Sequence, residues 1–324
     1  MDNMQKRIWE GCEKLLYDCA GVKKNDVIFI ITDDKTKHLG DHLFEVSASI
    51  SNNVSTVKLN QTKMHGEEPP LDVASKMLTS DVIFCLTTMS MAHTQARLNA
   101  NNNGAKYLSL PDYNIDVLTS NALQTDYKKL TNTAELLGEY LNNGNIVNIN
   151  SEKGTDLQIQ IKDRKANIAP GWCDGTGTLA SPPDAEVNIA SIENKSNGII
   201  VVDGSIPCNE IGLLTKEITL TIENGSVVDI RGELKDVLEE LFNNSGSEKS
   251  RIIGEFGIGL NPNAELCGLM LPDEGCLGTV HFGIGSNHTI GGKNKVSFHL
   301  DHIIKNPSVL IDGLLIMDEG TLII

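Results

Sequence analysis

The sequence predicts an α/β domain, a parallel sheet with helices on both faces, followed by an α+β domain that is mainly antiparallel β. Three observations carry this. In the first part of the chain, continuous apolar runs (VIFIITDD 27–34, DVIFCLTT 81–88, AKYLSL 105–110) alternate with helical patterns. From Ile146 onward the pattern becomes short alternating segments broken by Gly, Asn and Asp: IVNIN, LQIQIK, GIIVVDG, EITLTIENGSVVDI. Between them a helical stretch at 126–143 ends on Asn-Asn-Gly-Asn, a C-cap signal. The expected domains are residues 1–145 and a β-rich, metal-binding catalytic domain at 146–324.

Taken in order, residues 4–19 space Ile8, Cys12, Leu15, Leu16 and Cys19 as one face of a helix. The strand 27–34 follows and ends in Asp33 and Asp34, which nothing nearby in sequence complements. A helix around 37–51, a strand near Val54–Leu59, a helix at 71–78 and the strand 81–88 come next. The segment 92–104 reads as a helix closed by Asn and Gly, ahead of the strand 105–110. Buried strands alternating with helices indicate a parallel sheet covered on both sides. No GxGxxG and no P-loop follows any strand, which removes the nucleotide-binding reading. In the second domain Glu223-Asn-Gly-Ser226 between two alternating runs is a hairpin signal, and 233–244 is the one helical interruption.

The formal net charge of −16 repels phosphate backbones and anionic membranes, so nucleic acid and membrane are excluded as expected partners. A small peptide or other small molecule is the expected substrate. No run of about 18 apolar residues occurs, and no secretory signal pattern opens the chain, so a cytoplasmic location is expected. Seven cysteines without a CxxC pair read as buried free thiols rather than as a disulfide framework or a thiolate zinc site.

Four of the eight histidines fall in the last 44 residues. Strand parity sorts them. In GTVHFGIG (278–285), His281 shares a face with Thr279, Gly283 and Gly285, opposite Val280, Phe282 and Ile284. In KVSFHLD (295–301), Ser297, His299 and Asp301 oppose Val296, Phe298 and Leu300. Glu186 opposes Val187 and Ile189 in AEVNIAS (185–191), and Glu255 opposes Phe256 and Ile258 in RIIGEFGIG (251–259). Each segment anchors an apolar face and presents a carboxylate or imidazole among small neighbours, which leave room for a metal, a water and a substrate. His299-x-Asp301 puts two donors side by side on one strand, about 6.5–7 Å apart at the backbone. Imidazole with carboxylate suits zinc, manganese, cobalt or ferrous iron. His302 has the parity of Phe298 and Leu300 and reads as a packing residue. GWCDGTGTL (171–179) reads as a flexible loop.

At these residues the sequence resembles the aminopeptidase T/aminopeptidase S family of metallopeptidases. PPDAEVNIAS (182–191), GEFGIGLNPNAEL (254–266), LPDEGCLGTVHFGIGS (271–286) and SFHLDHIIKNPSVLIDG (297–313) carry the resemblance, in the family's order. It implies that Glu186, Glu255, His281, His299 and Asp301 are ligands of two divalent ions (Zn, Co or Mn) in a homodimeric hydrolase that removes N-terminal residues. A glutamate not fully used as a ligand, Glu186 or Glu255, would be the general base. The chain departs from that family in having His288 where a tyrosine is expected, which makes His288 a third catalytic candidate, and in being shorter. A shorter branch of the same superfamily, 2,5-dihydroxypyridine 5,6-dioxygenase, resembles the chain as well. It implies a single Fe(II) held by His281, His299 and Asp301. A homologue that retains the fold without turnover is the third alternative.

Overall fold

The structure is a computed structural model and describes residues 2–61 and 64–324. The chain divides into two compact units, one formed by residues 1–128 and 171–183, the other by 129–170 and 184–324. A single cut at 145/146 was expected. The chain instead returns to the first unit at 171–183, because the two-residue strand Leu179–Ala180 adds to the parallel sheet beside Lys106–Ser109.

In the first unit β1 (Ile28–Thr32), β2 (Val54–Lys58), β3 (Val82–Leu86) and β4 (Lys106–Ser109) form a parallel sheet in the order β2-β1-β3-β4, with Leu179–Ala180 at the far edge. β1 and β3 are buried along their whole length, as strands covered on both faces must be. One face carries Phe29, Ile31, Ile83, Cys85 and Tyr107 against Val73, Met77, Ala96 and Ala100 of the helices Leu71–Met77 and Gln95–Asn102. On the opposite face lies the helix Lys37–Ala48. Its Gly40 sits so close that an added Cβ would stand 2.3 Å from Thr32 Cγ2 and 3.6 Å from Ile30 Cγ2. The expected layout, with helices on both faces, is therefore present.

The second unit contains two antiparallel sheets. The eight-stranded one runs from Ser226–Arg231 at one edge, through Ile218–Glu223, Asn197–Val202, Asp156–Gln160, Ile146–Asn150 and Ser308–Ile311, to Leu314–Asp318 and Thr321–Leu322. The expected hairpin is there: Glu223 pairs with Ser226, and Asn224 and Gly225 take φ of 50° and 79°. Both turn residues at positive φ fit the two-residue turn whose twist matches the strands. The seven-stranded sheet has at its centre β5 (Glu186–Ala190), β6 (Glu255–Gly259), β7 (Thr279–Gly285) and β8 (His299–Lys305), in the order β8-β7-β6-β5. All seven cysteines are free, and five of them are buried, as expected for core thiols. No helix among the described residues is long and apolar enough to cross a membrane.

Candidate metal centre

The register of the central strands assembles the site. β6 faces β5 with Gly257 opposite Asn188 and Gly259 opposite Glu186. It faces β7 with Gly257 opposite His281. β7 faces β8 with Gly283 opposite Asp301 and Gly285 opposite His299. Parity then places Glu186, Glu255, His281, His299 and Asp301 on one face of one sheet, drawn from four strands. β5, β6 and β7 are buried along their whole length, so the face beneath is a fixed apolar floor.

The glycines between these residues act differently from the sequence expectation. The space above them is not left for ligand and water, because the imidazoles fill it. A Cβ on Gly257 would lie 2.1 Å from His281 Cε1 and Nε2, and one on Gly283 would lie 2.5 Å from His299 Cε1 and 2.8 Å from Glu255 Cβ. The rings lie down over the glycines and reach the neighbouring strand. His281 Nε2 comes within 3.1 Å of Glu186 Oε2, and His299 Nε2 within 3.3 Å of both Glu255 Oε2 and Asp301 Oδ1. His299 Nδ1 meets the Ser286 carbonyl at 2.8 Å, and Asn188 Nδ2 donates to Glu186 Oε1 at 2.6 Å. A backbone carbonyl on the far nitrogen of a ligating histidine fixes the ring and its tautomer. His299 is the member open to solvent, with its side chain 35% exposed against 9% or less for the other four.

Donor atoms converge in three groups: Glu186, Glu255 and His281; Glu255, His299 and Asp301; and Asp184, Glu186 and Glu274. Within each, one atom per residue lies within 4.8 Å of the others. All five residues expected as ligands fall in the two imidazole-bearing groups, and Glu255 is common to both. Sequence reasoning missed Asp184 and Glu274. Asp184 shares the parity of Glu186 in PPDAE, the one signal that pointed to it. Glu274 ends the short helix Met270–Glu274, where strand parity has no meaning. His288 lies exposed in a 3-10 turn, His288–Ile290, and belongs to none of these groups. His302 is a packing residue, fully buried, with its ring stacked on Phe242 at 6.5 Å.

The electrostatics are those of carboxylates crowded in a dry place. Burial, with Glu186, Glu255 and Asp301 adding, drives the Asp184 carboxyl well above its usual range. Burial and Asp301, with which it hydrogen-bonds, do the same to Glu274. Glu255 is pushed up to about 7 by burial and by Glu186 and Asp301, against the pull of His299. Burial disfavours a charged His281, yet Glu186 beside it outweighs that and raises it to about 9; Asp301 likewise raises His299 to about 10. Burial opposes the charge on Asp301 too, but the His299 imidazole holds it well below the carboxylate range. Orphaned polar atoms gather here as well. Asp184 Oδ1, Asn188 Oδ1 and His281 Nδ1 are buried without a hydrogen-bond partner among the described residues. Buried groups of this kind are costly unless something satisfies them. Imidazole and carboxylate donors converging from rigid strands, with oxygens left over, fit divalent metal.

Comparison with known proteins bears on the fold and the family. The chain is 24% identical over 247 residues to 2,5-dihydroxypyridine 5,6-dioxygenase of Pseudomonas putida, covering 73% of this chain and 69% of that one. The solved structure of 2,5-dihydroxypyridine dioxygenase from P. putida matches 99% of this chain and 96% of its own, with a TM-score of 0.82 at 19% identity. Aminopeptidase AmpS of Bacillus subtilis is 28% identical over 185 residues, half of this chain and 44% of AmpS. AmpT from Thermus thermophilus has the same fold, with a TM-score of 0.73 at 13% identity over 99% of this chain and all of its own. The expected superfamily, with peptidase and dioxygenase branches, is thus the right one. The family model for 2,5-dihydroxypyridine 5,6-dioxygenase, NicX, matches residues 8–324, and the chain belongs to that family.

Proposed function

We propose that this chain is a metal-dependent hydrolase of the aminopeptidase kind, acting on small peptides with a free N-terminal amine. One observation carries the reading: Glu255 is common to two imidazole-bearing donor groups, Glu186–His281 on one side and His299–Asp301 on the other. A carboxylate shared in this way would serve a cation on each side of it. No donor group among the described residues contains both imidazoles, as a single-ion site with two histidines and one carboxylate requires. Divalent cations held there would polarise a substrate carbonyl and acidify a water.

The chain's own residues supply the rest. Asn188 and the Ser286 carbonyl orient Glu186 and His299. Glu255, with Oε2 3.3 Å from His299 Nε2, lies between the two imidazole-bearing groups, where a glutamate not fully used as a ligand would accept a proton from a bound water. The buried faces of β5, β6 and β7 exclude bulk solvent from below, and solvent-open His299 marks the side from which substrate enters. Surplus carboxylate charge favours a substrate that brings an ammonium group. His288 is proposed as a contact to substrate rather than a ligand, because it lies on the exposed turn that follows β7.

A second reading is favoured by family membership and by the whole-chain likeness to the P. putida enzyme. It is oxygen-dependent opening of a dihydroxypyridine ring, with one ferrous ion held by His281, His299 and Asp301. Metal content of anaerobically purified wild type and Glu255→Ala separates the two, combined with amino-acid release from free and N-acetylated peptides and oxygen uptake with 2,5-dihydroxypyridine. The hydrolase reading expects two ions per chain of the zinc, cobalt or manganese kind, loss of ions in Glu255→Ala, and release from unblocked peptides alone. One iron per chain, retained in Glu255→Ala and coupled to oxygen uptake, overturns it in favour of ring cleavage.

A further inference from the structure

We propose that Asp184, Glu186 and Glu274 form a separate site for a hard divalent cation of the Mg2+ or Ca2+ class, next to the imidazole-bearing groups and joined to them through Glu186. One oxygen from each of the three carboxylates lies within 4.8 Å of the others. The donor set is all oxygen, and two of the three residues take no part in the groups that contain histidine. Oxygen-only carboxylate sites suit Mg2+ and Ca2+, whereas imidazole draws the transition metals. The two classes of ion are therefore sorted by the side chains themselves.

Convergence of acidic residues would not be enough without evidence that something is meant to sit among them. That evidence is an orphaned oxygen on Asp184. Asp184 is 5% exposed, and its Oδ1 has no hydrogen-bond donor among the described residues. A carboxylate oxygen buried this deeply and left without a donor is costly unless a cation occupies the space it faces.

The backbone is arranged to bring the three together. Gly275 lets the end of the Met270–Glu274 helix lie against the start of β5, since a Cβ there would stand 2.7 Å from Ala185 N and 3.0 Å from Asp184 Oδ1. Asp273, the neighbour of Glu274, is consumed in holding the local fold. It accepts the Cys267 and Gly268 N–H groups at 2.7 and 2.9 Å and the Ser205 hydroxyl at 2.5 Å. With Asp273 tied to that loop, Glu274 is the acid left to face Asp184 and Asp301. The site goes beyond the hydrolase reading and stands whichever reaction the imidazole-bearing groups support.

The test is calorimetric titration of Ca2+ and of Mg2+ into the full chain, metal-free and loaded with Co2+, with the cobalt absorption bands followed in parallel. Wild type is expected to take up one hard cation per chain in both forms. The cobalt bands shift without loss, because Glu186 is common to both kinds of group. Asp184→Asn and Glu274→Gln are expected to keep cobalt and lose the hard cation. Absence of a binding isotherm in wild type, an unchanged isotherm in both variants, or displacement of cobalt by the added ion each overturns the site. Should either variant fail to fold, the wild-type titration decides alone. Failure of the chain to bind cobalt at all, with the hard cation still bound, would count against the hydrolase reading and leave this site standing.

Discussion

At the scale of single residues, the glycines of the central strands are as consequential as the imidazoles and carboxylates around them. Gly257 and Gly283 lack side chains because His281 and His299 lie across them, and neither glycine is at positive φ. Alanine is therefore permitted by the backbone and excluded by the imidazole. Gly283→Ala is expected to push the His299 ring off Glu255 and Asp301. Metal affinity should fall by about 10- to 100-fold, the range seen when a ligand's support is lost. Overpacking should cost about 1–3 kcal/mol of stability. Metal content after gel filtration, with circular dichroism to confirm the fold, checks this; full metal retention in Gly283→Ala would show that the ring has another resting place. That these five residues would share one face was legible in the sequence because each sits on a strand, where a period of two sorts side chains without knowledge of the partners. Asp184 and Glu274 were not. One precedes its strand and the other ends a five-residue helix beside a chemically equivalent acid, Asp273, that does something else. Only the tertiary fold decides which of two adjacent acids enters the cluster.

At the scale of elements, local pattern located strands and helices well, and distant hydrogen bonds decided what their ends do. The segment 295–301 reads as one strand, yet pairing begins only at His299. The residues before it belong to a loop pinned by Asn287, which donates to Glu193 Oε1 and to the Gly254 carbonyl, each at 3.1 Å, and accepts from Asn294 N at 2.9 Å. Asp33 gives a second case. From sequence it stood uncomplemented at the end of β1; in the fold Thr88, 55 residues on, donates its N–H to Asp33 Oδ2 at 2.5 Å, and the N–H groups of Lys35 and Thr36 donate to Oδ1. Asp33 thus ties the end of β1 to the end of β3. Burial disfavours its charge, but these N–H donors outweigh burial and hold it below its usual value. A carboxyl held below its unfolded value of about 3.9 contributes stability above that pH and loses it as the pH falls through the lower folded value. Asp33→Asn is expected to cost about 1.5–3 kcal/mol near neutrality, the range for hydrogen bonds to a charged group. The gap between variant and wild type should close as the pH drops below about 3.9. Denaturant midpoints measured across that range test it, and a gap that stays constant in acid would mean the loss is steric.

At the scale of the whole molecule, two kinds of excess negative charge must be separated. One is diffuse: a net charge of −16 spread over the chain, which repels itself at long range and is relieved by any salt. The other is concentrated in Asp184, Glu186, Glu255, Glu274 and Asp301, where only His281 and His299 answer it among the strongest influences. Bulk salt screens buried charges poorly, whereas a cation that binds the folded chain and not the unfolded one stabilises by mass action. That gain is about 2.7 kcal/mol when the free ion is at 100 times its dissociation constant. A chain of this size should then melt several degrees lower after chelation, by roughly 2–4 °C per kcal/mol. Restoring micromolar divalent metal should recover the loss, while sodium chloride at several hundred millimolar should not. If sodium chloride restores the melting temperature as fully as the divalent ion does, the stabilisation is screening of the surface, and the crowded carboxylates are neutralised by protons rather than by metal. If the divalent ion alone restores it, Gly283→Ala should blunt the recovery, which places the effect at the imidazole-bearing groups and not on the acidic exterior.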